Sequence, residues 1–129
     1  MNDETFPTAS DKEVRAWLAR QGLTVEDLAD LTGDVSLRHY SLVSHGGETV
    51  IVAIYPPEIR SSCRKFLESS RLLSRAGVRV PQIHASDCVK GLMLLEDAGT
   101  DTLYDLRDRA PAFLSACFWR AASDLKRIQ

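Results

Sequence analysis

Long apolar runs are missing from this sequence, and so is any surplus of charge of one sign. No stretch approaches the roughly 18 to 20 consecutive apolar residues that cross a bilayer, so no membrane-spanning helix is expected. Residues 1–10 are acidic and polar, where a secretion signal would be basic and then apolar. The default expectation is a cytoplasmic protein. Lys and Arg number 16 against 18 Asp and Glu, a net charge of −2, without the basic face that nucleic acid demands. An anionic ligand would have to be held locally, by loops or helix ends. Cysteine is scarce: Cys63, Cys88 and Cys117 are scattered and free of CxxC spacing. That pattern indicates neither a disulfide framework nor a zinc site, and all three are expected to be reduced thiols.

What is present suits one ordinary globular domain, with 129 residues, 44% of them hydrophobic and 26% charged. The organising stretch is residues 91–99, GLMLLEDAG. Four apolar residues bounded by glycine and stopped by Glu96 and Asp97 suit a strand buried on both faces. Adjacent carboxylates on a strand point to opposite faces, so these two are not read as a general acid and base pair.

Ahead of it, Ser10 and Glu13 form a capping box, and Val14, Trp17 and Leu18 follow at helical spacing. They predict an amphipathic helix over 11–20, closed by Gly22 and packed on the back of the domain. Residues 25–40 admit two readings. A helix-turn-helix about Gly33 would serve DNA binding. A strand pair is favoured by the turn dipeptide Gly33-Asp34, by alternation through LRHYSLV, and by Gly46-Gly47 cutting any second helix short. Residues 37–43 and 50–55 then form a hairpin across Gly46-Gly47. Over 62–76 the period becomes helical, with Phe66, Leu67, Ser70, Leu73 and Ser74 in step and Gly77 as the stop. A short strand about 82–85 and a turn at 87–91 lead into 92–95. The expected fold class is α+β: an antiparallel sheet of about five strands with one packed helix. From 100 to 129 the pattern is helical, a short piece over 102–107 and a longer one over 112–128 after Pro111. Leu114, Phe118, Ala122 and Leu125 form a stripe on the latter, with Trp119 beside it.

In that order and spacing, TGDVSLRHY, VIVAIYPPE, FLESSRLLSRAGVRVPQI and GLMLLEDAG resemble the amino-terminal lobe of the aminoglycoside phosphotransferase and choline kinase-like family. The likeness is greatest to its bacterial anomeric sugar kinases acting on N-acetylmuramate and N-acetylglucosamine. The resemblance implies a protein-kinase-like fold, with residues 1–99 as the nucleotide-binding lobe and 100–129 as the start of a helical second lobe. It implies ATP and Mg²⁺ as cofactors and a sugar or aminoglycoside hydroxyl as acceptor. Residues 32–38 become the phosphate-covering loop, with Gly33, Asp34 and Ser36 near phosphate. Glu68 becomes the carboxylate that orients a strand cation, and Leu95, Glu96 and Ala98 belong to the hinge that reads the adenine edge. The chain departs from the pattern twice. The strand lysine expected near Val52, Ala53 and Ile54 is absent, and Arg38 on the adjoining strand is the candidate substitute, because a guanidinium can clamp two phosphate oxygens. The catalytic-loop pattern HGDxxxxN is also absent. No catalytic or metal-ligating residue is therefore expected in this chain, and it is expected to be inactive alone and to self-associate through its final helix. Two other readings stand beside this one, a non-catalytic interaction module with the same fold and the DNA-binding domain above.

Overall fold

Alternating apolar residues on neighbouring strands give the sheet two buried faces, and a different helix covers each. The computed structural model describes residues 6–31, 37–99 and 103–129. They divide into two units, Met1–Glu68 with Pro81–Asp97, and Ser69–Val80 with Ala98–Gln129. The first unit holds β1 (Asp27–Leu31), β2 (His39–His45), β3 (Glu48–Ile54), β4 (Ile83–Asp87) and β5 (Leu92–Glu96). They form one five-stranded antiparallel sheet in the order β1-β2-β3-β5-β4. This is the expected α+β class, consistent with a kinase-like amino-terminal lobe. The helix-turn-helix alternative is overturned, because the segments it needs as helices carry β1 and β2, paired from Asp27↔Ser44 to Leu31↔Tyr40.

Helix α1 (Asp11–Arg20) begins where Ser10 Oγ accepts the Glu13 N–H at 3.3 Å. It lays Val14, Trp17 and Leu18 on the face made by Val43, Val52, Leu92 and Leu94. Burying a side chain of that size stabilises by about 1.5 to 3 kcal/mol, so α1 is part of the core. The opposite face presents Ala53, Tyr55, Met93 and Leu95 to Cys63, Phe66 and Leu67 of α2 (Ser61–Arg75). Sandwiched between these layers, Leu92, Met93, Leu94 and Leu95 are all buried, as the short apolar run implies.

One expectation fails here. Cys63 and Cys88 are joined in a disulfide, with Cα atoms 5.6 Å apart and a sequence separation of 25; only Cys117 is free. No local spacing announces this pair. The sheet order brings the first turn of α2 beside the turn between β4 and β5, and the pairing is a product of that tertiary arrangement.

The second unit consists of the last turns of α2, α3 (Leu103–Arg109) and α4 (Pro111–Ile128). Helix α2 ends at Arg75, and Gly77 just beyond it has a φ of 83° that favours glycine. Arg127 near the end of α4 donates to the Gly77 carbonyl at 3.1 Å, tying these two helix ends together.

Candidate functional site

The ends of β2 and β3 bring a cation and three aromatic rings together on the α2 side of the sheet. The register His39↔Ile54 sets Arg38 across from Tyr55, one step beyond the regular pairing. Strand alternation puts Arg38 and Tyr40 on the same face. The Arg38 guanidinium lies 5.0 Å from the ring centre of Tyr40, 5.5 Å from that of Tyr55 and 6.0 Å from that of Phe66. Its Nη1 donates to the Tyr55 hydroxyl at 3.2 Å. Tyr55 is fully buried, whereas Arg38 is only partly so. A cavity of about 200 Å³ opens beside them, lined by Leu37, Arg38, Tyr55, Ile59 and Ser62. A guanidinium against several π-faces is restrained in rotamer.

Behind Tyr55 stands a second arginine that the sequence did not single out. Arg60 donates to the Tyr55 carbonyl from Nε at 3.3 Å and from Nη2 at 3.1 Å. It also reaches the carbonyls of Phe6, Pro7 and Val89, at 2.6, 3.3 and 3.1 Å. The Tyr55 N–H in turn donates to the Gly91 carbonyl at 2.8 Å. Tyr55 is thereby fixed by its backbone on both sides, which in turn places its hydroxyl for Arg38.

The other expected site residues are distributed unevenly. Gly33, Asp34 and Ser36 lie outside the described residues; they fall in the connection between β1 and β2. Glu68 is exposed on α2 and joins no ion pair among the described residues. Cys63, Phe66 and Leu67 face the sheet, and at 100° per residue Glu68 falls on the far side of the helix from them. The structure does not bring Glu68 to Arg38. At the end of β5, Leu95 is buried, and Ala98 is exposed. Glu96 accepts the Gln82 N–H at 2.9 Å, next to the start of β4, and its own N–H reaches the Gln82 carbonyl at 2.8 Å. Asp97 accepts from the Thr49 hydroxyl at 2.7 Å, on β3. The two carboxylates therefore turn to different neighbours of β5, and each helps fix the path of the chain. Among the described residues no group of three or more His, Cys, Asp or Glu is placed to hold a metal ion, and no helix is long and apolar enough to cross a membrane.

No known protein family matches the chain. Individual proteins do. The N-acetylmuramate/N-acetylglucosamine kinase of Pseudomonas putida is 37% identical over 79 residues, 61% of this chain and 23% of the relative. The protein of the same name from Pseudomonas aeruginosa is 36% identical over 80 residues, 62% of this chain and 23% of the relative. The chain is thus related to sugar kinases, and the match covers about a quarter of the length of these curated relatives.

Proposed function

We propose that this chain is the ATP-binding lobe of a small-molecule kinase, one that transfers the γ-phosphoryl group to a hydroxyl of a sugar, with an N-acetylated amino sugar as the favoured acceptor. The relationship to two proteins named as kinases of such sugars carries the reading. The α+β layout and the ring-seated Arg38 support it. In this reading Arg38 holds phosphate oxygens from the strand next to the one that lacks a lysine. The β1–β2 connection covers the phosphates. The backbone of 95–98, its path set by Glu96 and Asp97, meets the adenine edge. Mg²⁺ supplies charge neutralisation at the phosphates when bound; its ligands and the catalytic loop are expected outside this sequence. The chain by itself is accordingly expected to bind nucleotide without turning it over.

The test is calorimetric titration of ATP into the 129-residue chain, with AMP and inorganic tripolyphosphate in parallel. Binding of ATP and of tripolyphosphate, with AMP much weaker, is the expected result. Absence of ATP binding by a folded chain would return the fold to the status of an interaction module.

A further inference from the structure

We propose that the Cys63–Cys88 bond is a reversible thiol–disulfide site, with low-molecular-weight thiols as its reaction partners, and that its state sets how firmly the Arg38 pocket is held. The consequence for phosphate rests on the reading above; the exchange reaction does not. The bond links the first turn of α2 to the turn between β4 and β5. The walls of the pocket are attached on either side of it. On α2, Ser62 lines the cavity and Phe66 carries one of the rings against Arg38. On the other side, directly after Cys88, the Val89 carbonyl accepts from Arg60 at 3.1 Å and the Gly91 carbonyl accepts from Tyr55 at 2.8 Å. Arg60 also holds the Tyr55 carbonyl. Tyr55, Cys63, Phe66 and Cys88 pack in one apolar cluster. Severing the bond frees the ring-bearing helix from the segment that anchors Tyr55.

The chemistry has a direction. Cys63 is fully buried and Cys88 partly exposed, so an incoming thiolate meets the Cys88 sulfur. The electron pair of the broken S–S bond leaves on the sulfur of Cys63, in the first turn of a 15-residue helix. A second thiolate attacks the small-molecule sulfur of the mixed disulfide and releases Cys88. Both protein thiolates then take up protons. Two small thiols are oxidised to one small disulfide while the protein gains two thiols, and the reverse sequence restores the bond.

The experiment uses the chain carrying Cys117→Ser, so that no thiol but this pair can react. It is equilibrated in buffers ranging from oxidised to reduced glutathione at millimolar concentration. Thiols are counted by alkylation and mass, amide hydrogen exchange is followed at 61–67 and 88–91, and ATP affinity is measured in both forms. The expected result is conversion from no reactive thiol to two while the chain stays folded, with faster exchange in both segments of the reduced form. ATP affinity should fall roughly three- to ten-fold on reduction, a part of the ten- to hundred-fold that outright loss of a charge-assisted contact costs. The double variant Cys63→Ala, Cys88→Ala should match the reduced form and ignore glutathione. A bond that resists glutathione until the chain unfolds would overturn the proposal, as would two free thiols under oxidising buffer. Identical exchange rates and affinities in the two forms would also overturn it. If neither form binds ATP, the kinase reading fails, while the redox site still stands or falls on thiol count and exchange rates.

Discussion

Arg38 is the residue to which the proposal gives the phosphate contact, and its surroundings decide what its removal should do. A charge-assisted contact to phosphate contributes on the order of 1.5 to 3 kcal/mol, so Arg38→Ala should weaken ATP binding by roughly ten- to a hundred-fold. Arg38→Lys should restore only part of this, since an ammonium lacks the planar fork and the stacking on Tyr40. Arg38→Ala also strips a cation from three rings, a loss of about 0.5 to 2 kcal/mol in stability, so thermal unfolding must be measured beside affinity. Equal affinity in the wild type and in a folded Arg38→Ala would end the Arg38 assignment. Gly91 offers a purely structural comparison. Its φ is 74°, and a Cβ there would press into the Tyr55 carbonyl and the Arg60 side chain. Gly91→Ala should therefore cost at least about 2 kcal/mol by chemical denaturation, because neither the β3 end nor the Arg60 web can step aside alone. A loss below about 0.5 kcal/mol would show that the segment yields freely.

At the scale of elements, α1 shows how much of the fold the sequence states outright. The capping box and the Val14, Trp17, Leu18 spacing predict 11–20, and the helix occupies Asp11–Arg20. Leu18 is fully buried, so Leu18→Ala should destabilise by about 2 to 5 kcal/mol, whereas Ser10→Ala, which removes one cap bond, should cost about 1 kcal/mol. If urea unfolding ranks the two equally, α1 is a surface attachment and not core. The hairpin was legible too, but its pairing runs closer to Gly46-Gly47 than alternation suggested: β2 is His39–His45 and β3 is Glu48–Ile54, because positive φ at both glycines allows a tight turn. Local pattern could not show what depends on sheet order. The Cys63–Cys88 pair, the Arg60 contacts and the ring of Phe66 against Arg38 all join segments that meet only once β5 inserts between β3 and β4. Glu68 shows what helical period alone says about placement. Of the residues in helical step, Phe66, Leu67, Ser70 and Leu73 are partly buried and Ser74 is exposed, and the same period sets Glu68 away from Cys63, Phe66 and Leu67.

For the molecule as a whole, the second unit sets the behaviour in solution. Its helix α4 leaves Phe113, Phe118, Trp119, Leu125 and Ile128 between 48% and 76% exposed, while Leu114 is half-buried. Phe118, Leu125 and Trp119 lie on one side of the helix, away from the turn of charge where Asp124 pairs with Arg120 and Arg127. Soluble chains rarely leave several large apolar side chains on one contiguous surface, because each side chain removed from water contributes about 1.5 to 3 kcal/mol. The net charge of −2 is too small to keep copies apart at physiological salt. The 129-residue chain is therefore expected to self-associate through α4, with the sedimentation coefficient rising with concentration. Replacing Phe118 and Leu125 together by Glu should abolish that rise without lowering the unfolding midpoint, since neither side chain is buried in the isolated chain. A wild-type chain that stays monomeric at all concentrations, with α4 amides already protected from exchange, would show that the helix needs no partner. Association that survives the double substitution would move the interface off this face.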